Sequence, residues 1–423
     1  MALTPILIAG SGRSGTTAIM AQLGAEPRVA FDRVYPYENR YLTYLSKLAL
    51  LAGRPGDSPE HSSDEMCSFK NGRFGAVPWP THPLPEGLLA PSTGDWLRSG
   101  WQCFQQSVHA RRPGVTHYAE KVPAWMPALL RMATPVKTVY LVRDPRDVFL
   151  SANAFNARRG NLSFGRQAGD TDRDHARNLA FGWLQYFENQ RDDVRRPDSM
   201  TIRFEDLITD RAATIARLGE KIGLPLKPDE SAGAEHLAIH QTSETVAATV
   251  GRWKREKMDS TAQRLMESLL FEAMQFNDYP MSAAKAPLQS IDLRRATTHS
   301  ADGTLAVNDD GTVGVQITGP DFWIETPPID GKAREIIEFW VCLRADVGAH
   351  WSAYWRRPGE EFDEGRSAHS PFFPGEHWQI IRLRVAEHEH WHGRIDRMRF
   401  DLCNNPSGPG RCEVRWIRAV PAV

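Results

Sequence analysis

Cysteine is scarce in this chain of 423 residues, with five in all: Cys67, Cys103, Cys342, Cys403 and Cys412. Few, odd in number and scattered, they exclude a secreted disulfide framework. Cys403 and Cys412 are near enough to meet across a turn and are expected to be two reduced thiols near a strand end. Net charge is also nearly absent, at −1, so there is no bulk attraction to nucleic acid or to an acidic membrane, and any anion site has to be local. Long apolar runs are missing too. The N-terminal run Ile6 to Ala9 is far shorter than the roughly 20 residues of a membrane span, and it lacks the charged flank of a signal peptide. No membrane span is expected, and the cytoplasm is the default compartment. What remains is 41% hydrophobic and 24% charged, a composition able to bury a core in two or three domains of roughly 100–200 residues.

Strand-like and helix-like segments alternate as far as Pro280. The strand candidates are PILIAG, VKTVYLV (136–142) and MTIRFEDL (200–207). The helical stretches are Thr16–Gly24, Arg146–Ala157 and Arg211–Ile222. Such alternation predicts an α/β domain with a central parallel sheet covered by helices in three layers. Residues 53–95 and 158–174 are irregular and rich in Pro, Gly, Ser or polar residues, and they read either as substrate-covering loops or as surface excursions. After a linker at 283–289 the pattern changes to short β-branched and aromatic runs, among them IIEFWVCL, HWSAYW and CEVRWIRAV. These predict an all-β sandwich, jelly-roll-like, over 290–423, following an α/β domain over 1–285.

Residues 10–17, Gly-Ser-Gly-Arg-Ser-Gly-Thr-Thr, follow a strand and open a helix. A helix N-terminus there offers unpaired N–H groups to an anion. Three loops share that physics. Gly10, Gly12 and Gly15 spell a dinucleotide fingerprint, with Asp32 available for a ribose. Gly10 and Gly15 also fit a triphosphate loop, but Thr16 stands where its lysine belongs. The third is a phosphosulfate loop, for which Arg13 supplies a cation and Thr16 and Thr17 supply hydroxyls. A second cluster, Val-Tyr-Leu-Val-Arg-Asp-Pro-Arg-Asp-Val-Phe-Leu-Ser over 139–151, weighs toward the third. Arg143 sits at a strand's carboxyl edge, Pro145 starts a helix, and Ser151 lies two turns on, so both side chains are placed to hold a 3′-phosphate, which NAD lacks.

Together GSGRSGTT, YLVRDPRDVFLS, RFEDL and VGRWK (250–254) resemble, in order and spacing, the signatures of the sulfotransferases that use PAPS (3′-phosphoadenylyl sulfate). The resemblance covers residues 5 to about 280. It implies a P-loop-like sulfotransferase fold and roles by position. Gly12, Arg13, Ser14, Gly15, Thr16 and Thr17 hold the 5′-phosphosulfate. Arg143 and Ser151 hold the 3′-phosphate, over which Arg252 and Lys254 close. Phe204 stands near the adenine where many members have tyrosine, and Ala18 replaces a frequent tryptophan. The product is PAP, and no metal is required.

Transfer of a sulfuryl group needs a base for the acceptor hydroxyl and cations for the developing charge. In glycan and tyrosyl sulfotransferases, which the chain resembles, a glutamate some twenty-odd residues past the loop is the base. Glu38 fits, with Asp32 as the nearby alternative, while Glu26 comes too early. Glu120-Lys121-Val122-Pro123 resembles a glycan-sulfotransferase segment whose lysine reaches the active site, so Lys121 joins Arg13 as a catalytic cation. A saccharide acceptor is therefore expected. Rivals are a P-loop nucleotide kinase or NAD(P)-binding enzyme using the same loop, or an inactive PAP-binding scaffold.

The C-terminal module carries seven of the thirteen tryptophans. Trp340 and Trp416, inside apolar runs, are expected in the core. Trp351, Trp355 and Trp391 are candidates for sugar contact, while a structural or dimerising role, giving a homo-oligomer, stays open. His388, His390 and His392 alternate like metal ligands but read as a solvated His-rich loop with no completing ligand.

Overall fold

A computed structural model describes residues 2–38, 40–52, 93–229, 231–232, 239, 241–282, 288, 290–329, 331–347, 350–372, 374–404 and 409–422. The irregular stretch 53–92 and most of the linker lie outside them. The chain divides into two compact units, one formed by 1–49 and 94–287, the other by 50–93 and 288–423.

In the first unit, strands β1 (Thr4–Ala9), β2 (Val29–Ala30), β3 (His117–Val122), β4 (Lys137–Val142) and β5 (Ser199–Arg203) form a parallel sheet in the order β2-β3-β1-β4-β5. β1 is central, and its alternation shows why both faces are covered. Ile6 and Ile8 pack with Ile19, Leu23, Ile215 and Leu218 from the helices Thr16–Gly24 and Arg211–Ile222. Leu7 and Ala9 pack on the other face with Leu42, Trp101, Met126 and Leu130. A strand buried on both sides reads as an unbroken apolar run, and each such side chain contributes roughly 1.5–3 kcal/mol. The fold is the expected α/β sheet with helices on both faces.

MTIRFEDL is a strand only as far as Arg203. Phe204–Thr209 is a helix, with Glu205 and Asp206 in its first turn, where carboxylates favour the helix dipole. The helix Pro145–Arg159 has Asp144 as its cap, accepting from the Arg146 N–H, and ends on Gly160 at φ 65°. Residues 160–171 are irregular, and a capping box at Thr171 and Asp174 starts the helix Asp172–Asp193. Among the described residues no helix is long and apolar enough to cross a membrane.

The second unit is an antiparallel β-sandwich, as the sequence predicted. It comprises β6 (Gly303–Val307), β7 (Val313–Ile317), β8 (Trp323–Glu325), β9 (Gly331–Lys332), β10 (Ile336–Ala345), β11 (His350–Arg356), β12 (Ser367–Pro371), β13 (Gly375–Leu383), β14 (Arg394–Ile395), β15 (Arg397–Asn404) and β16 (Gly410–Pro421). The two main sheets run β13-β10-β16-β7-β6 and β12-β11-β15-β8. Trp351 and Trp355 do share a face of β11, but it is the inner one. Both are 0% exposed and lie in the sandwich core with Phe339, Phe400 and Trp391. Trp391 meets Trp355 edge-on at 5.1 Å, and its indole N–H donates to the carbonyls of Ala333 and Ile336. All three tryptophans expected to touch sugar are therefore core residues. Burying so much aromatic surface outweighs presenting it to solvent. Trp340 and Trp416 are buried as well.

Cys342, Cys403 and Cys412 are buried free thiols. His388 packs edge-on against Trp355 at 5.1 Å, and the His392 Nε2 accepts from Arg357. Among the described residues no cluster of three or more His, Cys, Asp or Glu is placed to hold a metal.

Candidate active site

β1, β3, β4 and β5 all end on one edge of the parallel sheet, where α/β ligand sites lie. A cleft of about 790 Å³ opens there, within the range typical of small-molecule sites. The loop after β1 forms its floor. Gly15 takes φ 97°, a left-handed conformation that lets the helix Thr16–Gly24 begin without a side-chain cap. That first turn offers its N–H groups to an anion. Any side chain at Gly12 would strike the Phe164 ring, and any at Gly15 the Phe204 ring, each at 2.5 Å. Two aromatic walls thus rest directly on loop backbone. Thr16 and Thr17 line the cleft, but Ser14 is fully buried, its hydroxyl donating to the Ser11 carbonyl inside the loop at 2.6 Å.

Arg13 leaves the loop toward the helix Pro145–Arg159. Its Nε donates to the Ser151 Oγ at 3.2 Å, and its guanidinium lies 4.5 Å from the Phe155 ring centre. Burial, with repulsion from Arg143 second, holds its pKa down to about 10. Arg143 is nearly buried and makes no ion pair among the described residues. It donates instead to the carbonyls of Arg13 at 3.0 Å and Thr249 at 2.7 Å, with its guanidinium 4.5 Å from the Phe204 ring. Its Nε is buried with no hydrogen-bond partner. A buried cation with an unused donor is costly unless an anion completes it.

The neighbours of Arg143 in Arg-Asp-Pro-Arg-Asp build the support. Arg146, fully buried, pairs with Asp144 and Glu267 and lies 3.4 Å over the Trp253 ring. Asp147 accepts the N–H groups of Gly251 at 2.7 Å and Trp253 at 2.8 Å, clamping the Val-Gly-Arg-Trp-Lys loop to the helix. Burial pushes Asp147 up to about 6. Arg252 is thereby brought to the Thr242 hydroxyl at 3.2 Å, the same hydroxyl that meets Ser151 at 3.2 Å. Lys254 instead lies over Trp253 at 5.6 Å, away from the cleft lining.

At the other end of the loop, β3 delivers Lys121. Its ammonium donates to the Thr17 Oγ1 at 2.8 Å and the Pro36 carbonyl at 2.7 Å, and it pairs with Glu38 at 3.4 Å. Burial lowers its pKa to about 8, against the pull of Glu38. Glu38 is also paired with Arg40 at 3.2 Å. Asp32, the alternative base, does not line the cleft, nor does Glu26, which is bound to Arg28. Glu120 is not a cleft residue either. Its buried carboxylate accepts the Leu42 and Thr43 N–H groups and the Thr43 and Tyr118 hydroxyls, pinning the start of the helix Tyr41–Ala52 just past Glu38. Burial raises it to about 7 despite those four donors.

Sequence reasoning missed Thr242, Phe155, Phe164 and the anchoring parts of Glu120 and Asp147. Phe155 was reachable, since it lies one turn past Ser151 on the same helix face. Thr242 belongs to no motif and carried no signal.

The chain belongs to the sulfotransferase family: residues 5–228 match the profile described as "Sulfotransferase family". It is a sulfotransferase enzyme with an added C-terminal β-module. No curated protein matches its sequence. Among solved structures it is similar to the sulfotransferase domain of the olefin synthase of Synechococcus PCC 7002, at 15% identity and TM-score 0.40, over 66% of this chain and 97% of that one. It is also similar to the sulfotransferase domain from the curacin biosynthetic pathway, at 15% identity and TM-score 0.39, over 67% and 100%. A xylan-binding module of Roseburia intestinalis is similar at 9% identity and TM-score 0.24, over 31% of this chain and 94% of that one.

Proposed function

We propose that the enzyme takes its sulfuryl group from PAPS and passes it to a hydroxyl of a saccharide, with Glu38 as the base. The observation that carries the donor reading is Arg143, a cleft residue with an unused buried Nε, whose partner Arg13 leads through Ser151 and Thr242 to Arg252, three residues set behind the cleft lining. A buried cation with an unused donor, near one free hydroxyl of the Ser151–Thr242 pair and near Arg252, which is also paired with Glu256, suits a dianionic 3′-phosphate. The loop N–H groups, Arg13, Thr16 and Thr17 suit the 5′-phosphosulfate, and Phe204 with Leu207 walls the base.

In the reaction the acceptor oxygen forms a bond to sulfur as the bond from sulfur to the 5′-phosphate oxygen breaks. PAP leaves, and the hydroxyl proton passes to the Glu38 carboxylate. Lys121 and Arg13 face the charge that grows on the sulfuryl oxygens and the leaving phosphate. The saccharide reading is supported by the Glu120-Lys121-Val122-Pro123 segment. The hydrogen-bonded, buried thiols of Cys403 and Cys412 suit a reducing compartment, and we place the enzyme in the cytoplasm. Incubation with PAPS and a panel of saccharides tests the reading. Sulfated sugar and PAP should appear in equal amounts. PAP release without a sulfated sugar overturns the acceptor half.

A further inference from the structure

The cleft holds more positive charge than the donor explains. Its lining includes Arg13, Arg40, Lys121, Arg143, Arg159 and Arg211, yet Glu38 is the one carboxylate among the described lining residues. Glu38 is already shared by Lys121 and Arg40. Arg13, Arg143 and Lys121 are committed to the donor and the reacting centre, and Arg211 is bonded to the Gln22 side chain and the Asp229 carbonyl. Arg159 is left over. It is exposed and makes no hydrogen bond or ion pair among the described residues.

Arg159 is not placed at random. Its guanidinium lies 4.6 Å from the centre of the Phe155 ring, the ring that also holds Arg13 at 4.5 Å. Two cations on one ring stand within about 9 Å of each other, an arrangement that cation–π attraction fixes in place. Arg159 also adds to the repulsion that lowers the pKa of Arg13. Its position in the last turn of its helix suits a cation through the helix dipole. The dipole accounts for the charge and the Phe155 ring for the side chain's direction, yet neither gives the guanidinium an anion, and it lines the cleft.

We infer that Arg159 binds an anionic group of the acceptor, so that the substrate is an acidic saccharide bearing a carboxylate on the reacting sugar or its neighbour. This rests on the saccharide reading above. Phe155 acts as the spacer. It sets the distance between the cation that meets the sulfuryl group, Arg13, and the cation that meets the acceptor's charge. An uncompensated cation in a partly enclosed cleft attracts such an acceptor and orients it.

The test uses the full-length enzyme, saturating PAPS and two matched acceptors, p-nitrophenyl β-glucuronide and p-nitrophenyl β-glucoside. The wild type should favour the glucuronide by about tenfold or more in kcat/KM, the worth of one charge-assisted hydrogen bond. Arg159→Ala should bring that ratio close to one. Calorimetry with PAP should show the same donor affinity in both proteins. If the wild type sulfates both sugars equally, Arg159 has no acceptor role, while sulfuryl transfer to saccharides stands. If Arg159→Ala weakens PAP binding and slows both acceptors alike, the residue belongs to the donor site and the inference fails. Transfer to neither sugar, with PAP still bound, overturns the saccharide reading and this one with it.

Discussion

Glu38 and Lys121 face each other across 3.4 Å, and their opposite duties make them separable by experiment. Glu38→Gln keeps the shape and removes the proposed base. It should leave PAP affinity unchanged and lower kcat by about 10²–10⁴, the usual span of general-base catalysis. A rate within a factor of about two at saturating acceptor would remove Glu38 from that role. Lys121 is tested by pH. Burial lowers its pKa to about 8, so in the free enzyme it loses its proton, and its charge, as pH rises through 8. An anionic donor at its side favours the charged form and raises that pKa again. The value of kcat/KM for PAPS should therefore fall above pH 8, while kcat should hold to higher pH. Lys121→Arg should remove the alkaline fall in kcat/KM, because arginine stays charged. An unchanged fall would assign it to another group.

Two elements owe their place to single side chains. The loop carrying Arg252 hangs on Asp147, which accepts two backbone N–H groups. Asparagine has only one acceptor oxygen, so Asp147→Asn should weaken PAP binding by about three- to tenfold through the loop, the scale of one hydrogen bond. Burial holds Asp147 up to about 6, so below that pH the wild-type carboxyl is itself protonated and loses acceptor capacity. The ratio of mutant to wild-type PAP dissociation constants, measured by calorimetry from pH 8 to 5, should shrink toward one. A constant ratio would show that the anchor does not titrate there. The sign for stability is opposite. A carboxyl with a raised pKa in the folded state adds stability at low pH and loses it as pH rises through 6. In the β-sandwich, Trp355 is core and not a sugar platform. Trp355→Ala should cost about 3–5 kcal/mol in denaturant unfolding of the full chain, the usual cost of emptying a buried aromatic site. A loss below about 1 kcal/mol would return Trp355 to the surface.

Over the whole molecule, what the sequence revealed was what depends on local geometry. The loop between strand and helix turns on Gly15 at φ 97° and carries Arg13, and both stand within eight residues. Arg143 stands at a strand end and Ser151 two turns along the helix that follows, and Arg13 bridges them, its carbonyl accepting from Arg143 and its Nε donating to Ser151. The alternation of Ile6, Leu7 and Ile8 between two cores was readable as a buried parallel strand. What escaped depends on partners far along the chain. Period two put Trp351 and Trp355 on one side of β11, but only the packing of the opposite sheet decides which side is inner. The helix at Phe204 hid in a strand-like run because its apolar residues fit either period. Thr242 reaches Ser151 across 91 residues with no motif to mark it.

A cleft built for a nucleotide carrying a 3′-phosphate should show that preference directly in calorimetry. The full-length wild type and Arg143→Ala would be titrated with PAP, ATP and NAD, each without magnesium. PAP should bind the wild type more tightly than ATP or NAD, and Arg143→Ala should weaken PAP by about tenfold or more, as expected for loss of charge-assisted hydrogen bonds. Equal affinity for NAD and PAP, or an Arg143→Ala protein that holds PAP as well as the wild type does, would contradict it.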